Sequence, residues 1–195
     1  MILYHGTTKK ALDKILIEGI KPRGSKKSNW DGFGTSRPDL VYLTNCYAPY
    51  YATSACKKKE DIGVIIKLDI DSKKIELYPD EEFLFNCSEL KQQAKEGKDV
   101  QKLWNTINPK KFRLVYDFRN KTWEIGWKKS IEYLGTVTAE FIPKVYIIGY
   151  YIEKKSLEFI YKCDPSISPL NYMFCGQQYK DYLASLKYTK VGDNR

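Results

Sequence analysis

A chain of 195 residues with 43% hydrophobic and 29% charged side chains is too apolar to remain disordered, and its length fits one domain spanning residues 1–195. Five widely spaced cysteines without a Cys-x-x-Cys pair, together with a lone histidine, argue against zinc or any other metal site and suit free thiols in a reducing cytoplasm. A net charge of +9 favours phosphate-bearing partners, and the longest apolar run, from Val145 to Ile152, is far too short to span a membrane.

The chain opens on Ile2-Leu3-Tyr4-His5-Gly6-Thr7-Thr8, which reads as a short strand over 1–4 that halts at a glycine and yields to a helix capped by Thr8. Ala11, Leu12, Ile15, Leu16 and Ile20 recur at helical spacing, and Gly19 supplies the stop. Residues 21–39 form a basic, glycine-rich loop carrying Lys21, Arg23, Lys26, Lys27, Trp30 and Phe33. Leu40 to Thr44 is β-prone, Ala48 to Ala55 suits a helix with Pro49 in its first turn, and Val64 to Ile70 is a strand. Lys74 to Tyr78 is a further strand candidate. Residues 80–107 read as mostly helical with a break near Gly97, and Thr122 to Tyr133 as one more helix. Strands are expected over Thr136 to Ile142, Val145 to Ile152 and Leu157 to Tyr161. Then come a turn-rich loop over Asp164 to Pro169, a helix over Tyr172 to Leu186 and a frayed tail from Lys187. Runs of strands interrupted by a helical insertion around 79–134 define an α+β chain.

In order, Tyr4-His5-Gly6-Thr7, Val41-Tyr42-Leu43-Thr44, the pair Tyr50-Tyr51, and Thr138-Ala139-Glu140-Phe141-Ile142-Pro143 resemble the motifs of the ADP-ribosyltransferase superfamily, on its His-Tyr-Glu branch with diphtheria toxin and poly(ADP-ribose) polymerase. The resemblance covers roughly residues 1–56 and 135–152. It implies an ADP-ribosyltransferase-like split β-sheet core with flanking helices, and NAD as co-substrate without a metal.

The implied roles are specific. His5 holds the NAD ribose, Gly6 presents backbone to the nicotinamide carboxamide, Thr7 belongs with them to the cofactor-binding set, and Tyr42 packs against the nicotinamide ring. Tyr50 or Tyr51 covers the other face of that ring, as suits a cationic pyridinium. Glu140, preferred over Glu124 and Glu132, stabilises the oxocarbenium-like sugar formed as nicotinamide leaves, just as carboxylates do in glycosidases. Arg23 is a candidate for the pyrophosphate. Arginine-directed members carry Glu-x-Glu, and Thr138 at the first of those positions argues against that acceptor. The charge, with Lys26, Lys27, Trp30 and Phe33, favours a nucleic-acid acceptor over protein. A small transferase of this kind fits a bacterial or phage toxin or effector, with an antitoxin or immunity protein as partner. Two alternatives share the fold. One is a non-catalytic module binding ADP-ribose or nucleic acid. The other is an RNA 2′-phosphotransferase, whose arginine set has no counterpart here.

Overall fold

The first strand organises a seven-stranded sheet. The structure, a computed structural model, describes residues 1–26, 35–87, 89–153 and 169–192. In chain order it holds β1 (Ile2–Thr8), α1 (Lys9–Glu18), β2 (Val41–Thr44), α2 (Ala48–Ala55), β3 (Gly63–Asp69) and β4 (Tyr78–Pro79). Three short helices follow, α3 (Glu81–Cys87), α4 (Glu89–Lys95) and α5 (Val100–Asn105), then β5 (Leu114–Asp117), β6 (Thr122–Ile125), α6 (Gly126–Leu134) and β7 (Thr136–Ala139). The chain closes with β8 (Ile147–Ile152), α7 (Pro169–Ser185) and β9 (Thr189–Lys190). The main sheet has the order β4-β7-β2-β1-β3-β8-β9, and β5 with β6 forms a separate hairpin. Every pairing in it is antiparallel, so the protein is mixed α+β with an antiparallel sheet and flanking helices.

Strand alternation sorts the core into two layers. Leu3, Val41, Leu43, Ile66, Leu68 and Val137 point to one face, where Leu12 and Ile15 of α1 pack. Tyr4 and Ile65 point to the other, against Ala48 and Ala52 of α2 and Leu183 of α7. Burial on both faces explains the unbroken apolar run Val64-Ile65-Ile66 in β3. Gly19 ends α1 at a φ of 84°, a backbone angle that favours glycine.

Several expectations need correction. β1 runs through Gly6 to Thr8, because its partner β3 continues alongside it, and His5 therefore sits within a strand. Thr8 occupies the cap position of α1, yet its hydroxyl makes no capping bond. The fourth strand is confined to Tyr78–Pro79. The stretch from Thr122 is not one helix: its first four residues pair with β5, and the helix begins at Gly126. The insertion is thus helical only in its first part. Lys144–Tyr146 is a 3-10 turn ahead of β8. The tail is anchored, since Thr189 and Lys190 pair with Tyr150 and Gly149, and the Tyr188 ring stacks on Tyr4 at 6.2 Å. The strand expected at Leu157 to Tyr161 and nearly all of the following loop lie outside the described residues. Among the described residues, no helix is long and apolar enough to cross a membrane.

The turn into α2 hangs on one hydroxyl. Thr44 Oγ1 donates to the Gly135 carbonyl at 2.7 Å and accepts from the amides of Cys46 and Tyr47 at 3.0 and 2.9 Å, all fully buried. Thr44→Val keeps the shape and strands those donors, so it should cost about 2 kcal/mol in chemical unfolding. An unchanged midpoint would show that water replaces the hydroxyl.

Candidate functional site

The sheet is continuous in order but nearly divided between β1 and β2. β1 pairs with β3 at every position from Ile2 to Thr8, whereas its pairing with β2 is the single register Tyr4↔Thr44. Just past that contact a side chain bridges the gap, the His5 Nδ1–H donating to the Tyr42 carbonyl at 2.9 Å. A carbonyl only accepts, so the proton sits on Nδ1 and the neutral ring keeps its lone pair on Nε2. Burial pushes the imidazole below its ordinary value, which favours this neutral form. His5 is therefore an oriented hydrogen-bond acceptor, suited to a hydroxyl.

Val41 and Leu43 of β2 enter the core, so alternation sends Tyr42 to the opposite face. Its hydroxyl donates to Glu81 Oε1 at 2.6 Å and accepts from the Arg37 amide at 2.7 Å. Burial, with the Glu81 carboxyl beside it, pushes the phenol well above its ordinary value, so it stays protonated. Glu81 opens α3 and is 1% exposed. Its second oxygen, Oε2, has no hydrogen-bond partner among the described residues. Burial, reinforced by Asp80, raises its pKa to about 7. Asp80 is itself pushed up by burial. Its amide donates to Ser130 Oγ at 2.9 Å, and Ser130 donates to the Thr136 carbonyl at 2.7 Å, tying the start of α3 to β7.

Glu140 lies one residue beyond β7, not within the strand as the sequence suggested, because the chain bends there toward the Ile20↔Ile142 bridge. Its side chain is 59% exposed and meets Lys110 Nζ at 2.5 Å. Lys110 also pairs with Asp39 at 3.1 Å, and Asp39 with Arg37 Nε at 3.0 Å. Since the Arg37 amide also donates to the Tyr42 hydroxyl, a continuous polar chain runs from Tyr42 through Arg37, Asp39 and Lys110 to Glu140. Thr138 stands directly across from Tyr42 in the β2–β7 ladder.

The remaining candidates divide. A Cβ on Gly6 would lie 2.4 Å from the Ala52 amide nitrogen, 2.5 Å from the Ala48 carbonyl and 2.7 Å from Tyr51 Cβ. The glycine is thus demanded by α2, which sets Tyr51 beside it. Tyr50 and Tyr51 are half-buried, meet edge to face at 5.9 Å and pack with Tyr47 and Tyr179. Thr7 is buried beside His5 in β1. Arg23 is engaged by its own loop, its guanidinium donating to the carbonyls of Gly24, Lys26 and Ser36, so it braces the chain. Lys26 is exposed, and Lys27, Trp30 and Phe33 lie outside the described residues. Arg37, Glu81 and Lys110 went unrecognised in the sequence. Glu81 sits in Asp80-Glu81-Glu82, an acidic run at a helix start that ordinary helix-dipole compensation accounts for. Among the described residues, no group of three or more His, Cys, Asp or Glu is placed to hold a metal ion.

No protein-family model matches the chain. A stretch of 64 residues is 41% identical to the mitochondrial ATPase expression protein 2 of Candida glabrata. That match takes in 30% of this chain and 12% of the yeast protein, so the chain spans only a small part of that relative.

Proposed function

We propose that this protein is an NAD-dependent ADP-ribosyltransferase of the His-Tyr-Glu kind, with a split-sheet core, acting on a macromolecular acceptor for which nucleic acid is favoured over protein. The observation that carries the reading is the bond from the His5 ring to the Tyr42 backbone carbonyl across the one-register gap between β1 and β2, with the strand leading to Glu140 next in the sheet.

The chemistry asked of each residue is modest. His5 Nε2 accepts from a ribose hydroxyl and fixes the sugar. The Tyr42 ring, its hydroxyl anchored at both ends, is held as a flat wall for nicotinamide. When the ribose–nicotinamide bond breaks, the bonding electron pair leaves with nicotinamide and positive charge builds on the sugar. The Glu140 carboxylate offsets that charge. An acceptor oxygen or nitrogen then bonds to the same ribose carbon and releases its proton. Lys110 holds Glu140 in the ion pair and would have to yield part of it when the sugar arrives. That pairing also favours a second reading, a binding module that holds ADP-ribose or nucleic acid without turnover. A toxin or effector role in a cytoplasm, with an antitoxin or immunity protein as partner, belongs to the first reading.

The test is incubation with labelled NAD and separate pools of single-stranded RNA, single-stranded DNA and protein. Nicotinamide release with label entering one pool is expected. Glu140→Gln should lower turnover by about 100-fold or more while NAD still binds, the scale of removing one charge-stabilising group. His5→Ala should weaken binding and turnover together. Binding without nicotinamide release would select the module reading, and unchanged turnover in Glu140→Gln would move the carboxylate role elsewhere.

A further inference from the structure

The hairpin β5–β6 carries the most exposed aromatic cluster among the described residues. Its register pairs Leu114 with Ile125 and Tyr116 with Trp123, while Val115 faces Glu124 and Asp117 faces Thr122. Alternation therefore gives the ribbon an inner and an outer face. The inner face is anchored, Val115 against the α3–α5 cluster and Asp117 on Lys129 of α6 at 2.9 Å. The outer face lies open. Trp123 is 67% exposed, and Phe118 at the tip is 75% exposed. Tyr116 holds both, with ring centroids 5.0 Å from Phe118 and 5.5 Å from Trp123.

The tip that presents these rings is fixed. Asp117 Oδ1 accepts from the Arg119 amide at 2.9 Å, and the Asn120 side chain donates to Asp117 Oδ2 at 3.1 Å. Lys121 completes the turn at a φ of 55°, in the left-handed region where a lysine is unusual. Of the cations near the hairpin, Arg113 is paired with Glu76 and the Arg119 guanidinium lies 5.8 Å over the Tyr133 ring of α6, while Lys121 sits in the turn between Phe118 and Trp123 and Lys111 precedes β5. Asp117 and Glu124 belong to the inner face, which leaves Lys111 and Lys121 as the cations offered with the aromatics.

We propose that the outer face of this hairpin is a stacking platform for single-stranded nucleic acid, the acceptor class read above. Rigid aromatic faces with the lysines Lys111 and Lys121 close by in the chain suit bases and phosphates together. Every base offers a flat face, so such a platform tolerates sequence. A second copy of this chain, carrying the same net charge of +9, would find apolar surface here but would be repelled by the lysines beside it. The inference builds on the acceptor assigned under the proposed function, yet it is tested without NAD.

The probe is a fluorescein-labelled twelve-nucleotide oligo(dT) followed by anisotropy over a salt series. The native protein should bind it in preference to a duplex of equal length. Trp123→Ala, at an exposed position whose loss of the Tyr116 contact lowers the melting temperature by only about a few degrees, should weaken binding about tenfold or more, and Trp123→Phe should restore most of it. Lys111→Gln with Lys121→Gln should lower the salt slope by about 1.4, the share of two phosphate contacts on a single strand. Three results would each overturn the proposal: no binding at low salt, equal affinity in Trp123→Ala, or a self-association in sedimentation that Trp123→Ala abolishes. NAD cleavage without oligonucleotide binding would remove the platform alone. Oligonucleotide binding without NAD cleavage would remove the transferase reading and leave the platform standing.

Discussion

Gly6→Ala should destabilise the protein by about 3 kcal/mol or more, a large share of the roughly 5–15 kcal/mol that holds a typical domain together. The added carbon would lie 2.4 Å from the Ala52 nitrogen and 2.5 Å from the Ala48 oxygen, both backbone atoms of α2. No rotamer change relieves such a clash, so β1 and α2 would have to separate. That movement would open the layer in which Tyr4, Ala48, Ala52 and Ile65 meet. It would also shift Tyr51, whose Cβ lies 2.7 Å from the same point. Urea unfolding read by tryptophan fluorescence measures the cost directly. The motif resemblance assigns Gly6 to nicotinamide, whereas the packing assigns its missing side chain to α2, and the two differ in outcome. If Gly6→Ala keeps full stability and loses only NAD binding, the contact with α2 is looser than the geometry describes. A loss of stability shows that the glycine serves the fold first.

The same distinction governs what could be read from sequence. Periodicity revealed β3 and α1, because the run Val64-Ile65-Ile66 and the spacing of Leu12 and Ile15 are local signals that burial directly imposes. His5 and Tyr42 were legible as an ordered motif, but their meeting depends on a ring-to-carbonyl bond spanning 37 residues, which no local pattern encodes. β6 was misread for a physical reason. Trp123, Trp127 and Ile131 fall at helical spacing, so the strand and α6 merge into one apparent helix. Only the pairing of Tyr116 with Trp123 separates them. β9 was missed because two polar residues form a strand only where β8 offers an edge. Glu81 was hidden because burial of a charge is a property of the assembled fold, whereas acidic residues at a helix start are commonplace.

Glu81→Gln should make the protein about 3 kcal/mol more stable at pH 9 and leave it nearly unchanged at pH 4. In the unfolded chain this carboxyl titrates near its ordinary 4.5, and in the fold near 7. The folded state thus binds the proton more tightly. Its contribution is full below 4.5, declines as pH climbs through that window, and is gone above 7. A difference of this size converts to roughly 3 kcal/mol. Glutamine keeps an acceptor for the Tyr42 hydroxyl and cannot ionise, so it escapes the decline. Asp80, raised in the same direction, remains in the variant and preserves part of the slope. Thermal melts from pH 4 to pH 9 decide the matter. Parallel curves for the two proteins would mean that Glu81 titrates in the fold as it does in the unfolded chain, so that its burial carries no cost. The functional corollary follows from the same hydrogen bond. Were Glu81 only a filler of the core, Glu81→Leu would be tolerated as well as glutamine. If instead it positions the Tyr42 ring by holding its hydroxyl at 2.6 Å, glutamine should preserve NAD turnover while leucine loses it, with the loss appearing in KM before kcat.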